Sequence, residues 1–445
     1  MIGVLGLSHL GIVTSAAAAA MGFDVIAVDP DAARCAALER GELPILEAGL
    51  PELMSSHRGR VTFSADPSRL SACMVLIVAA DVPTGPEHRG DCTLIQRLAE
   101  TAAAHAAPGA TLVINSQVPP GFTRKLGHWL QRERPEASLT VCYQVETLVI
   151  GQAIERALHP ERLIVGSRSP RAPLPAAYAA LLGRCGCPIL RMHYESAELA
   201  KIAVNMLLAS SVCTTNTLAE LCEAVGADWD EIVPALQTDR RIGPHAYLQP
   251  GLGPSGGNLE RDLATFLELA RRHQTDAGLV QAWLAHSRRQ RDWALERLRS
   301  HGLLERPDAV IALWGLAYKP GTASLAHAPS LALLAALAGH AVQAYDPSAR
   351  LEPGRFPCVQ PAASAIDACE GADALVILTP WPAFASANLA TVLEHMRGRL
   401  ILDPSGVLKD ARAHALGFTY LRLGTGQVPA ESAAEPARLP QGSVP

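Results

Sequence analysis

Lysine is almost missing from this chain: Lys125, Lys201, Lys319 and Lys409 are the only four in 445 residues, and arginine carries nearly all the positive charge. Aromatic residues make up 4% and the formal net charge is -5, so there is no basic, aromatic-interleaved surface and nucleic acid is not an expected partner. No apolar run approaches the roughly 18 residues of a membrane span, so no membrane partner is expected either. The apolar N-terminus, MIGVLGLSHLGIVTSAAAAAMGF, ends in small residues like a secretion signal but lacks a positive leading segment. Ten cysteines stand singly except for Cys185 and Cys187, and that pair has no second half at metal-ligand spacing. Reduced core thiols, a cytoplasmic location and no bound metal are the expectations. What is plentiful is apolar: 49% hydrophobic against 18% charged residues describes a soluble globular chain too long for one core.

The opening residues read as a strand (IGVLGL), a glycine turn, an alanine-rich helix and a second strand ending in an acid (DVIAVD). Further strands are predicted at Met74 to Ala80, Thr111 to Asn115, Leu139 to Tyr143 and Leu163 to Gly166, giving a doubly wound parallel sheet over residues 1–190. From Glu195 to about Val225 one long helix is predicted, then further helices from Asp262 to about His301, so residues 191–302 read as a helical linker. A helix that long commonly packs on a partner subunit as well as on its own chain. After Pro307 strands and helices alternate again (AVIALWGLAY, VQAYDP, ALVILT, RLILD), predicting a second parallel sheet over 303–425. The Pro-, Ala- and Ser-rich end, 426–445, reads as a disordered tail.

In Gly6-Leu7-Ser8-His9-Leu10-Gly11 the outer glycines of a GxGxxG dinucleotide turn are present and serine stands at the second position. The first glycine makes the turn, and Gly11 allows helix and strand to pack closely. Asp29, closing the next strand, is placed to hydrogen-bond an adenine ribose and to repel a 2'-phosphate, which favours NAD over NADP. Gly6, Ser8, Leu10, Gly11, Asp29 and Arg34 are the candidate cofactor residues. The bland alternative is an ordinary strand-to-helix corner.

Taken together, GQAIERALHPERLIVG, AELAKIAVNMLLASSVCTTNTLAELCEAVGADWDEI, RRIG, PGLGPSGG, GLAYKPGT, AYDPSA and GFTYLRLGTG resemble the UDP-glucose/GDP-mannose dehydrogenases, nearly end to end. The resemblance implies two Rossmann-like, doubly wound parallel-sheet domains joined by a helical dimerisation domain. It also implies a homodimer, a nucleotide-sugar substrate, a role in polysaccharide biosynthesis and oxidation of an alcohol carbon to a carboxylic acid with two NAD. It carries over Lys201, Asn205, Asp262 and Glu146 as the catalytic centre, with Leu148, Arg241, Gly253, Gly256, Gly257 and Lys319 as substrate contacts and Arg241 reaching the partner subunit's substrate. Lys201 and Asn205 are four residues apart on one helix face, so they can converge on one ligand atom.

The family's nucleophilic cysteine falls at Asn258, and its following lysine at Arg261. The first oxidation needs a base and a placed nicotinamide, but the second passes through a thiohemiacetal and thioester that an amide cannot form. Cys213, eight residues past Asn205 on the same helix, is turned off that face. The family's Ser-Thr reads Ser116-Gln117, and the second Glu of the strand-end motif that Gln144 opens reads Ile150. Three readings stay open: an NAD-dependent nucleotide-sugar oxidoreductase with altered chemistry, in which Lys201, Asn205 and Asp262 form the polar centre and Asn258 hydrogen-bonds the oxygen on the reacting carbon; a non-catalytic member that binds a nucleotide sugar or partners an active paralogue; and full oxidation through a substitute nucleophile.

Overall fold

The computed structural model describes residues 1–83, 90–253, 258–408 and 410–426, and the side chains of Asn258, Asp410 and Ala411 are not among what it describes. Gly256, Gly257 and all but the first residue of the expected tail lie outside the described residues.

Eight strands form the first sheet: β1 Ile2–Leu5, β2 Val25–Val28, β3 Val61–Ser64, β4 Val75–Val78, β5 Thr111–Ile114, β6 Thr140–Gln144, β7 Leu163–Ser167 and β8 Ile189–His193. Their order is β3-β2-β1-β4-β5-β6-β7-β8. β1, β4 and β5 are buried at every position because helices cover both faces, which is why they read as unbroken apolar runs. Ile2, Val4 and Ile77 join the core on one face, and Leu5, Leu76 and Val78 the core on the other. The expectation of a wholly parallel sheet needs correcting at one pairing. β6 and β7 are antiparallel, with Tyr143 opposite Gly166, because the connection between them does not cross back over the sheet and β7 enters from the end where β6 leaves. β8 carries the sheet to His193, a little past residue 190.

The second sheet holds β9 Val310–Trp314, β10 Ala341–Tyr345, β11 Val359–Pro361, β12 Ala374–Ile377, β13 Leu400–Leu402 and β14 Thr419–Leu421, in the order β11-β10-β9-β12-β13-β14. Every pairing in it is parallel. Ile311 and Leu313 face one core, Ala312 and Trp314 the other.

Between the sheets runs the helix Tyr194–Val225, 32 residues long and closed by Gly226 in the left-handed conformation. Helices Trp229–Thr238, Asn258–His273, Gly278–Arg291 and Trp293–Ser300 follow. Tyr194–Val225 is long and apolar enough to cross a membrane, contrary to the expectation that no segment is. It nevertheless buries Glu198, Asn205 and Asn216 among its neighbours, as a helix packed within protein does. It lies against β7 so closely that a Cβ on Gly166 would stand 2.9 Å from the Ala197 Cβ.

Candidate active site

The glycine turn is built as its motif requires. Gly6 has φ +90, and a Cβ on Gly11 would stand 1.7 Å from the Gly6 carbonyl oxygen, so helix His9–Ala20 approaches β1 as only glycine permits. Ser8 has φ -77 and needs no glycine; its Oγ accepts from the Asp81 N–H at 2.8 Å. Leu10 N–H reaches Asp81 Oδ2 at 3.4 Å. Asp29 is 4% exposed and already engaged: Oδ2 accepts from Leu7 N–H at 2.6 Å, Oδ1 from Asp31 N–H at 2.9 Å, and Arg34 Nη1 donates to Oδ2 at 3.4 Å. The acid expected at the ribose therefore also ties the turn to the end of β2. The N-terminus of helix His9–Ala20 and the side-chain-free approach at Gly11 fit a dinucleotide pyrophosphate.

The polar centre assembles where side chains of the long helix meet the segments that follow β5 and β6. Lys201 Nζ lies 3.2 Å from Glu146 Oε2, and Leu148 N–H donates to Glu146 Oε1. Asn205 donates its amide to Asp262 Oδ2, and Asp262 is 1% exposed. Burial pushes the Asp262 carboxyl up, while Arg261, Asn205, Lys201 and Gln117 pull it back. All four expected catalytic residues with described side chains are thus brought together.

Gln117, first read only as a lost threonine, is the residue that sequence reasoning missed. Its amide nitrogen donates to Asp262 Oδ1 and its amide oxygen accepts from Arg261 Nη2 at 2.6 Å, while Arg261 Nη1 donates to Val82 O at 3.2 Å. The replacements at 117 and 261 are one hydrogen-bonded unit that covers Oδ1 of Asp262, while Asn205 holds Oδ2. That unit separates two cavities. One, of about 220 Å³, runs from His9 and Leu10 past Glu146 and Leu148 to Tyr318 of the second domain. The other, of about 280 Å³, contains Asp262, Cys92 and Lys125. His9 was missed too: its Nε2 lies 2.8 Å from Glu47 Oε2, and Glu47 also accepts from Gly151 and Ala153 N–H, both at 2.9 Å.

The outer residues divide. Lys319 crosses from the second domain to donate to Ile150 O at 2.7 Å, and burial lowers its pKa. Gly253, φ +82, lies against Ser287. Arg241 is not brought to the cleft; its side chain is 88% exposed and pairs with Asp239 at 2.6 Å. Asn258 begins the helix Asn258–His273, three residues before Arg261. Two thiols bear on a substitute nucleophile. Cys213 is buried against Trp283 and Ser287, away from the cleft. Cys92 shares a cavity with Asp262, but burial and the adjacent Asp91 push its thiol up to about 11, so it is no ready thiolate.

Three family models match in chain order: the NAD binding domain of the UDP-glucose/GDP-mannose dehydrogenase family over residues 1–181, its central domain over 195–288 and its UDP binding domain over 312–410. The UDP-glucose 6-dehydrogenase of Pseudomonas aeruginosa is 33% identical over 439 residues, covering 95% of this chain and 96% of that protein. UDP-glucose 6-dehydrogenase TuaD of Bacillus subtilis is 29% identical over 445 residues, covering 98% and 95%. Among solved structures, a UDP-glucose dehydrogenase from Pyrobaculum islandicum superposes with a TM-score of 0.82 at 25% identity, covering 93% of this chain and 95% of that one. A UDP-D-ManNAc dehydrogenase from Pyrococcus horikoshii does so with 0.82 at 25%, covering 96% and 99%. With both sheets, the helical bridge and the glycine turn in place, the chain belongs to the UDP-glucose/GDP-mannose dehydrogenase family and uses NAD as its cofactor.

Proposed function

We propose that this protein oxidises the carbinol carbon of a UDP-glucose-like nucleotide sugar by a single hydride transfer and stops at the carbonyl. NAD, when bound, supplies the hydride acceptor. Gly6, Ser8, Leu10 and Gly11 hold its pyrophosphate and Asp29 its ribose, while Lys201 and Asn205 orient the substrate oxygen in the cleft between Leu148 and Tyr318. Asp262, the buried carboxylate that Asn205 and Gln117 hold, takes the proton that the substrate hydroxyl loses as the hydride leaves, and Asn258 stands where the family resemblance places a thiol. The observation that carries the reading is the Gln117–Arg261 unit, which covers Oδ1 of Asp262 while Asn205 holds Oδ2, where the thioester half of the reaction would need room and a nucleophile.

A panel of nucleotide sugars with NAD tests it, with NADH counted and products weighed by mass spectrometry. We expect at most about one NADH per sugar and an aldehyde or ketone. Two NADH and a uronic acid overturn the reading. Asn258→Cys should restore little acid formation, because Gln117 and Ile150 also replace groups that act together.

One observation favours a second reading, a member that binds nucleotide sugar without turnover: Lys201 is already paired with Glu146, and Asp262 with two amides. Tight sugar binding by calorimetry with no NADH would select it.

A homodimer is part of the proposal. It is supported by the apolar stripe Leu207, Leu218, Leu221 and Val225 left exposed on the long helix, Leu207 at 71% and Val225 at 66%. Light scattering should give a dimer for the wild type and a monomer for Leu207→Asp/Leu221→Asp. A cytoplasmic location is supported by ten cysteines that are all free thiols.

A further inference from the structure

A cavity of about 580 Å³, larger than either at the cleft, lies at the opposite end of the first sheet, where β6 begins and β7 ends. Three arginines and a histidine line it, Arg124, His128, Arg134 and Arg168, and no carboxylate does. Arg124 stacks over the Tyr194 ring at 5.4 Å and pairs with Glu195 at 2.8 Å outside the cavity; Arg134 has Glu136 only at 4.0 Å. Among the described residues Arg168 has no ion pair. Burial pushes the Tyr194 phenol up to about 12, while Arg168 and Arg124 pull it back. Two further observations point to an occupant. Ser167 Oγ, on the cavity wall, is enclosed and has no hydrogen-bond partner. Ser138, on its rim, holds a left-handed φ of 47 without being glycine, a strain that clusters at ligand sites.

We propose that this cavity binds a nucleoside di- or triphosphate, the phosphates on Arg168 and Arg134 and the base against the apolar wall of Leu139, Leu174 and Pro175, and that the ligand acts on the cleft through the helix Tyr194–Val225. Guanidinium forks match phosphate oxygens two at a time, and the volume exceeds what a lone phosphate fills. The transmission runs through one ion pair and two hydrogen bonds. Arg124 grips Glu195, and Gly121 and Thr123 N–H donate to Glu198 at 2.6 and 2.8 Å, so the cavity wall is bolted to the first turns of the helix that carries Lys201 and Asn205 about one and two turns further on. The regulatory half rests on the dehydrogenase reading above; the binding half does not.

The test is calorimetry of the full-length protein with ATP and, separately, tripolyphosphate, with NAD saturating to fill the glycine turn. Arg134→Ala/Arg168→Ala leaves the Arg124–Glu195 pair in place, and Arg134→Lys/Arg168→Lys keeps the charge. We expect wild type to bind ATP, the alanine pair to lose about tenfold or more in affinity with NAD affinity unchanged, and the lysine pair to recover part of it. ATP binding that ignores the alanine pair, or no binding at all, overturns the site. Tripolyphosphate bound as tightly as ATP overturns the nucleotide assignment. ATP should shift kcat or KM for the sugar in wild type and not in the alanine pair; an unchanged wild-type rate overturns the coupling. Absence of turnover with any sugar counts against the dehydrogenase reading and leaves the binding result standing.

Discussion

The two sheets share a strand order and a way of tying the chain after the first strand, and they differ in what the tie leaves free. After β1, Gly6 turns at φ 90 and Leu7 N–H donates to Asp29 at the end of β2. After β9, Gly315 turns at φ 92 and Leu316 N–H donates to Asp346 at the end of β10. Asp346 accepts from the backbone of Leu316, Ala317, Ser348 and Ala349 and from the Trp381 indole, which fills the roughly four acceptor sites of a carboxylate. Asp29 accepts from two backbone amides and, at 3.4 Å, from Arg34. One aspartate is wholly a clamp; the other is a clamp with acceptor capacity to spare, and only the second can also serve a ribose. Burial does not separate them, since they are 4% and 1% exposed.

The largest effect should come from Gly11→Ala. Its Cβ, 1.7 Å from the Gly6 oxygen, has no counterpart contact in the second sheet, and a loss above roughly 4 kcal/mol is expected, read as failure to recover folded protein. A well-folded variant with normal NAD affinity would show that the turn is looser than its geometry. Next, Asp346→Ala should cost about 3 kcal/mol in urea melts, because it strands several buried N–H groups at once. Burial raises this carboxyl, but the four amides hold it below its ordinary 3.8. Its contribution is therefore complete above that pH and lost as pH falls through the lowered value, so the wild type should lose urea resistance on acidification more steeply than Asp346→Ala. Asp29→Ala should cost less in stability, about 1.5 kcal/mol, and about tenfold in NAD affinity by calorimetry, with NADP gaining relative to NAD. Equal stability losses at the two aspartates would erase the distinction drawn between them. Smallest is Arg34→Met, expected to change stability by less than about 0.5 kcal/mol, as exposed pairs do. A loss as large as that of Asp29→Ala would make Arg34 part of the clamp.

The glycine turn, its aspartate and the long helix were legible because each rests on residues close in sequence: a left-handed glycine, a strand-closing acid, an apolar period without breakers. The direction of β7 was not, because LIVG reads the same whichever way the strand enters the sheet. β8 was hidden by Arg191 and His193, polar residues that an edge strand accommodates, half-buried and exposed respectively. At the candidate centre Lys201, Asn205, Asp262 and Glu146 were named through their family positions, and the fold brings them close together. The unit that reshapes the centre was not, since Gln117 and Asp262 lie 145 residues apart and two replacements read singly as losses form one contact when seen together. Arg241 was expected to reach the partner subunit's substrate; within one chain it pairs with Asp239 at the surface, and its role across the dimer stands as a proposal.

The helix Tyr194–Val225, at 32 residues, is a rod of about 48 Å, with Asn205 roughly 30 Å from its exposed apolar end. Leverage follows from that length. A tilt of about 5° at the far end carries the Asn205 amide through roughly 2.5 Å, more than the displacement of about 1 Å that can cost a hundredfold in rate. A second subunit gripping Leu218 to Val225 would thus set the aim of side chains it never touches, and a monomer would keep every catalytic group while losing their alignment.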